Sequence, residues 1–179
     1  MIFEKLKALF TKSEQRYAQR SEPNATKESS SQGKRVDVSR IGELGEYKID
    51  VQLRQLPKED RYLSDVLLPN PKSRTGYSQI DHIVITPCAV FVIETKNYQG
   101  LIKGKRTDQT WVINGRFHTQ NPLRQNYGHI KAIESLLVDE KGLRFISMAS
   151  YTRRCQFSVD PDLVNKAFNF SKIIPQLTF

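Results

Sequence analysis

The segment QIDHIVIT at residues 79–86 is followed, after the short PCA at 87–89, by VFVIETK at residues 90–96. Both segments are rich in β-branched and aromatic residues, whereas the proline between them cannot continue a strand, so the stretch predicts a β-hairpin. Pairing Ile85 with Val90 places Asp81 directly opposite Glu94. Side chains in such positions have Cβ atoms roughly 4.5–5.5 Å apart, and two like charges there are destabilising unless something compensates. A divalent cation would compensate them.

Side-chain alternation along the hairpin predicts which residues share a face. Because a strand repeats every two residues, Lys96 lies on the same face as Glu94 and opposite Gln79. The rest of that face is apolar, and so is most of the other face, which includes Ile80 and His82. A hairpin that is apolar on both sides indicates a sheet that is covered on both faces. The charged side chains therefore converge at one end of a buried layer, which favours a functional site.

The composition favours one domain and an anionic partner. A chain of 179 residues can bury a core without disulfides, and its two cysteines, Cys88 and Cys155, match no metal-binding spacing. Two unpaired thiols fit a reducing compartment, so a cytoplasmic location is expected, although the two could pair in space. The formal net charge is +9 and the pI is about 9.6, which favours nucleic acid or an acidic membrane over a neutral metabolite.

The positive charge is concentrated after the hairpin. Between residues 96 and 131, Asp108 is the only acidic residue, and the basic ones are Lys96, Lys103, Lys105, Arg106, Arg116, Arg124 and Lys131. This run predicts an electrostatic footprint for nucleic acid, and an idle basic surface is the alternative.

The chain divides into three segments. Residues 1–13 place apolar side chains at helical spacing beside lysines, and a polar linker follows to residue 36. The amphipathic segment is too short to span a membrane. Three roles remain open for this segment. It contacts a partner protein, it packs on its own domain, or it lies at a membrane surface, in which case the protein is peripheral to the membrane. The globular domain is expected over residues 37–160, with a C-terminal helix or tail over residues 161–179.

A helical pattern that starts near residue 39 places an acidic residue among core positions. Glu46 lies on the same stripe as Ile49 and Leu53. An inward-pointing carboxylate is costly unless it is paired or bound to a cation, so Glu46 is a candidate site residue. The glycines at 42 and 45 would let the start of the helix approach a neighbouring backbone or a ligand closely.

The rest of the domain alternates strands with one long helix. The pattern predicts strands at 62–68, 101–106, 144–151 and 155–159, a second hairpin over 111–118 with an Asn-Gly turn, and a helix from Pro122 to about residue 138. Trp111 is expected to pack rather than to stack on a base. The order of these elements favours a mixed α/β layer fold.

The candidate residues belong to a set of motifs that occur in order along the chain. The set comprises GELGE at 42–46, QIDH at 79–82, VIETKNYQG at 92–100, Trp111, and NPLRQ at 121–125. It resembles the nuclease-related domain (NERD) family of the PD-(D/E)xK nuclease superfamily over about residues 40–140. One departure is Ile80, which stands where the superfamily's namesake proline would precede Asp81, and it removes no metal ligand.

The resemblance implies an α/β fold with a restriction-endonuclease-like core, in which helices flank a central mixed β-sheet. It implies a nuclease that depends on Mg²⁺ or Mn²⁺, with nucleic acid as its partner and DNA favoured over RNA. By the same resemblance, the metal ligands are Asp81, Glu94, the backbone carbonyl of Thr95 and, through water, Glu46. The catalytic set is these three carboxylates with Lys96.

Substrate contacts are expected beside this set. Gln125 would position water or contact a phosphate, an ordinary solvated glutamine being the alternative, and Arg124, Lys103 and Lys105 would bind substrate. An ion-pair network with Lys96 is the alternative reading of the carboxylates. The alternative function is a catalytically inactive adaptor, bound to nucleic acid or tethered to a membrane, that retains the nuclease fold.

Overall fold

The computed structural model describes residues 38–140, 142–151 and 154–164. Their elements in chain order are α1 Val38–Leu53, β1 Arg61–Pro69, β2 Tyr77–Ile85, β3 Val90–Lys96, β4 Gly100–Gly104, β5 Thr110–Ile113, β6 Phe117–Gln120, α2 Pro122–Leu136, β7 Phe145–Tyr151, β8 Cys155–Val159 and α3 Pro161–Val164. The predicted N-terminal segment and linker, and residues 165–179 of the predicted tail, lie outside the described residues.

The strands form two mixed sheets rather than one. Sheet A has the order β1-β2-β3-β7, and sheet B has the order β6-β5-β4-β8. In each sheet the first three strands are antiparallel and the last is parallel to its neighbour. The chain passes from sheet A to sheet B twice, between β3 and β4 and again between β7 and β8. The predicted α/β class is confirmed, but two four-stranded sheets stand in place of the single central sheet that was predicted.

Sheet A is the sheet that two helices flank. On one face, Ile49 and Leu53 of α1 pack with Val84, Ile93 and Met148. On the other face, Ile133 of α2 packs in a cluster with Ile83, Val90 and Val92. Burial of each such side chain stabilises the fold by about 1.5–3 kcal/mol. The two-sided cover that the apolar hairpin predicts is therefore present.

The hairpin has the predicted register, with one change in the faces. Its pairing runs from Ile85↔Val90 to His82↔Ile93. Ile80 was expected on the face of His82, but it packs in the cluster on the α2 side. The alternation changes on both strands between the pairs Ser64↔His82 and Val66↔Ile80, beside Asp65, which has a φ of 52°.

The second hairpin and the buried tryptophan are also confirmed. Strands β5 and β6 pair from Thr110↔Gln120 to Ile113↔Phe117, and the loop places Asn114 and Gly115 at positive φ. Trp111 is 4% exposed, and its Nε1 donates a hydrogen bond of 3.0 Å to the Lys105 carbonyl. It is a core residue of sheet B.

Two further findings concern the cysteines and the helices. Cys88 and Cys155 are not joined in a disulfide. Within the described ranges, none of the helices combines the length and the apolar character needed to cross a bilayer.

Candidate active site

Glu46 lies on α1 where this helix packs against the end of β3. The preceding residue, Gly45, is buried, and a Cβ there would be 2.9 Å from Cβ of Asn97 and 3.3 Å from Cγ2 of Thr95. Only a residue without a Cβ allows this approach, so the glycine brings the half-buried Glu46 to β3. At Gly42, a Cβ would have no described atom within 4 Å, so the structure shows no close backbone approach there, and the predicted approach to a ligand stays a prediction.

Asp81 bridges the two central strands just beyond their paired region. The ladder ends at His82↔Ile93, and Oδ2 of Asp81 accepts a hydrogen bond of 2.6 Å from the backbone N–H of Thr95. The Asp81 side chain thus links β2 to β3 beside Glu94, where the backbone pairing has ended. Strand register and this hydrogen bond together hold the two carboxylates at the same end of sheet A.

The carboxylates of the site affect one another electrostatically. Burial raises the pKa of Asp81 to about 7, and the negative charges of Glu94 and Glu46 act in the same direction. The N–H of Thr95 and the charge of Lys96 oppose this rise in the pKa of Asp81. Burial also raises the pKa of Glu46, with added contributions from nearby carboxylates. Asp81 and Glu46 are therefore costly to ionise unless a positive charge is close.

Glu94 is the most buried carboxylate of the group, with 3% exposure. Its Oε1 accepts a hydrogen bond of 2.6 Å from Nζ of Lys96, and the same ammonium donates to Oε1 of Gln125 at 3.1 Å. Its Oε2 is buried and has no hydrogen-bond partner. The structure therefore joins Lys96 and Gln125 to the carboxylates and leaves one Glu94 oxygen free to act as a ligand.

Helix α2 supplies two buried residues that the sequence analysis did not assign to the site. Asn126 is 0% exposed, and its Nδ2 donates to the carbonyls of Val92 and Met148 at 3.2 and 2.7 Å. His129, one turn later, has Nδ1 3.8 Å from Oε2 of Glu94. Its i, i+4 spacing from Gln125 is a signal in the sequence. The sequence contains no comparable indication that Asn126 is buried beside the site.

Two further residues of the site come from β1 and β2. Asp65, at positive φ, accepts a hydrogen bond of 2.7 Å from Gln79, and after burial its charge contributes most to the raised pKa of Glu46. His82 is 1% exposed, and its burial outweighs the nearby charges of Asp50 and Asp65 and the backbone carbonyl of Glu46, which favour the protonated form. Burial lowers the pKa of His82 to about 4, so the imidazole is neutral near pH 7.

The basic residues divide into two groups. Arg124, Lys103 and Lys105 are exposed, and no hydrogen bond or ion pair joins their side chains to the carboxylates. Arg106 instead pairs with Asp162, and Lys131 pairs with Glu134. The basic run is therefore partly neutralised within the protein.

The donor atoms suit a hard divalent cation better than zinc. Within the described ranges, no group of three or more His, Cys, Asp or Glu side chains is placed to hold a metal ion. Mg²⁺ does not require such a cage, because it is held by one or two carboxylates together with water and substrate phosphates. Asp81 and Glu94 provide two carboxylates, and Oε2 of Glu94 lacks another partner.

Comparisons with known proteins assign the chain to a family. The family model of the nuclease-related domain matches residues 41–152, which cover α1 to β7 and every element of the site. An uncharacterized protein of Bacillus anthracis is 41% identical over 120 residues, which cover 64% of this chain and 54% of that protein. The chain thus spans about half the length of this relative. No solved structure matches the chain. The chain belongs to the nuclease-related domain (NERD) family, within the PD-(D/E)xK-like nuclease superfamily.

Proposed function

We propose that the protein is a nuclease that depends on Mg²⁺ or Mn²⁺ and hydrolyses phosphodiester bonds in nucleic acid, with DNA favoured over RNA. The proposal rests mainly on the state of the buried carboxylate of Glu94. Its Oε1 accepts a hydrogen bond from Lys96, whereas its Oε2 has no hydrogen-bond partner. Asp81 lies at the same level and shares its electrostatic environment. Two such carboxylates attract a cation more strongly than either would alone.

The residues of the site have separate roles in this proposal. Asp81 and Glu94 would hold the cation, with the backbone carbonyl of Thr95 and, through water, Glu46. When bound, the cation offsets negative charge on the scissile phosphate and lowers the pKa of water. The N–H of Thr95 keeps Asp81 in place.

Lys96 and Gln125 act on the reacting groups. Glu94 and Gln125 hold the ammonium of Lys96 by two hydrogen bonds. As the water oxygen attaches to phosphorus and the bond to the leaving oxygen breaks, this ammonium stabilises the negative charge that develops. Gln125 thereby orients Lys96 and could also contact a phosphate.

The direct test is incubation of the purified chain with supercoiled DNA, linear DNA and RNA, each with and without Mg²⁺ or Mn²⁺. We expect cleavage of DNA that requires the cation and stops when EDTA is added. Binding of nucleic acid without cleavage in any of these conditions would support the inactive adaptor instead.

Replacement of Lys96 separates catalysis from metal binding. The variant Lys96→Ala should leave Mn²⁺ affinity largely in place and lower the cleavage rate by about 10²–10³-fold, the usual effect of removing one group that stabilises developing charge. Single-turnover cleavage and calorimetric Mn²⁺ titration measure the two quantities. The matched control is Lys131→Ala, because Lys131 is exposed and pairs with Glu134. Complete loss of metal affinity in Lys96→Ala would contradict this role.

DNA binding should depend steeply on salt. The exposed Lys103, Lys105, Arg116 and Arg124 form no ion pair in the described part of the chain, so we propose them as phosphate contacts. Arg124→Ala should lower the slope of log affinity against log salt by about 1, whereas Lys131→Ala should not change it. A complex that is insensitive to salt between ~50 and ~200 mM would contradict an electrostatic footprint.

We further propose a cytoplasmic location, peripheral to the membrane through residues 1–13. Deletion of residues 1–36 should leave the melting temperature and metal-dependent cleavage nearly unchanged. It should also reduce association with anionic vesicles, since amphipathic segments bind by apolar area and by attraction of lysines to acidic headgroups. Unfolding of the shortened chain would show that the segment belongs to the core.

A further inference from the structure

Two buried polar atoms without hydrogen-bond partners face each other in the candidate active site. They are Oε2 of Glu94 and Nδ1 of His129, which are 3.8 Å apart. The two residues are 3% and 7% exposed. Buried polar atoms nearly always have a partner, because an unpaired one has lost its hydration without compensation. An N–H···O bond measures about 2.9 Å, so a side-chain movement of about 1 Å would join them.

The other donors near Glu94 are already engaged. Nζ of Lys96 donates a hydrogen bond to Oε1 of Glu94, and the N–H of Thr95 donates to Oδ2 of Asp81. His129 is the group that faces Oε2. An imidazole can carry its proton on either nitrogen, and a carboxylate opposite Nδ1 favours the tautomer with N–H there.

Helix α2 fixes the position of this imidazole. Asn126 is fully buried and donates to the carbonyl of Val92, two residues before Glu94, and to that of Met148 on β7. These bonds set the distance between α2 and β3. The remaining gap between His129 and Glu94 can therefore close by side-chain rotation, with the helix in place.

We propose that His129 is a positioning residue, whose Nδ1–H donates to one lone pair of Oε2 of Glu94 and orients this carboxylate so that the second lone pair of Oε2 receives the divalent cation. The inference rests on the proposed metal site. A hydrogen bond to a ligating carboxylate fixes its direction, and loss of such a partner lowers metal affinity or activity by about 10- to 100-fold. His129 acts through Glu94 and need not contact substrate.

The test is the Mn²⁺ affinity of the full chain, measured by isothermal titration calorimetry in three variants. His129→Leu removes both nitrogens and should lower affinity by about 10- to 100-fold. His129→Asn places an amide nitrogen near the position of Nδ1 and should restore most of the affinity. His129→Gln reaches the position of Nε2 and should bind as weakly as His129→Leu. His118→Leu, at an exposed histidine of β6, is the control and should bind as the wild type does.

Each outcome decides the matter. Wild-type affinity in His129→Leu would overturn the proposal, and so would equal losses in the leucine and asparagine variants, since volume alone would then matter. If His129→Leu does not fold, the comparison of asparagine with glutamine still distinguishes the two positions. Mn²⁺ binding without cleavage by the wild type would overturn the nuclease function and leave this inference standing. Absence of Mn²⁺ binding by the wild type would overturn both.

Discussion

Replacement of Asp81 or Glu94 by alanine should abolish metal-dependent cleavage, with a rate loss of about 10³-fold or more. Such a loss corresponds to about 4 kcal/mol of transition-state stabilisation, which is within what a bound metal ion contributes. Each substitution removes one of the two carboxylates proposed to hold the cation. Single-turnover cleavage of labelled DNA in excess Mn²⁺ measures the effect.

The same variants should remain folded or become more stable, because each removes one of two opposed like charges. Asp81→Asn is the informative companion variant, since an amide oxygen can still accept from the N–H of Thr95. Asp139→Ala, at an exposed carboxylate after the end of α2, is the control and should cleave as the wild type does. Cleavage at the wild-type rate by Asp81→Ala or Glu94→Ala would show that the assigned site is wrong.

In the metal-free protein, Asp81→Asn should gain stability relative to the wild type as the pH rises from about 4 to about 7. The pKa of Asp81 rises from 3.8 to about 7 on folding, so the folded state binds this proton more tightly than the unfolded state does. The stability that it contributes is present at low pH and is lost as the pH passes through this window. One pKa unit corresponds to about 1.4 kcal/mol, so the difference should amount to a few kcal/mol.

The comparison between variant and wild type is needed because His82 opposes this trend. Burial lowers the pKa of His82 from 6.5 to about 4, so the wild type gains stability from this residue over part of the same pH range. Denaturant unfolding in EDTA at several pH values measures the difference. Parallel stability curves for the two proteins between pH 4 and pH 7 would contradict the raised pKa of the buried Asp81. Added Mn²⁺ should raise the melting temperature of the wild type more at pH 8 than at pH 5, because it binds the ionised carboxylates.

The sequence by itself determined the central hairpin and the residues at its end. Period-two alternation, together with a short turn at Pro87, was enough to pair Ile85 with Val90 and the residues as far as His82 and Ile93, which brings Asp81 and Glu94 to the same end of the hairpin. The position of Lys96 beside Glu94 follows from the same rule. These predictions succeeded because they concern neighbours within one supersecondary unit, where backbone geometry leaves few alternatives.

Only the tertiary structure decided what surrounds that hairpin. Periodicity shows which residues of a helix share a face, but it does not show which strand that face covers. The approach of His129 to Oε2 of Glu94 depends on the distance between α2 and sheet A, which the hydrogen bonds of Asn126 set. The place of Asp65 depends on a positive φ that interrupts β1, a conformation that an aspartate adopts only when its surroundings compensate the strain. Long-range packing set both, because each depends on the positions of elements that are distant in the chain.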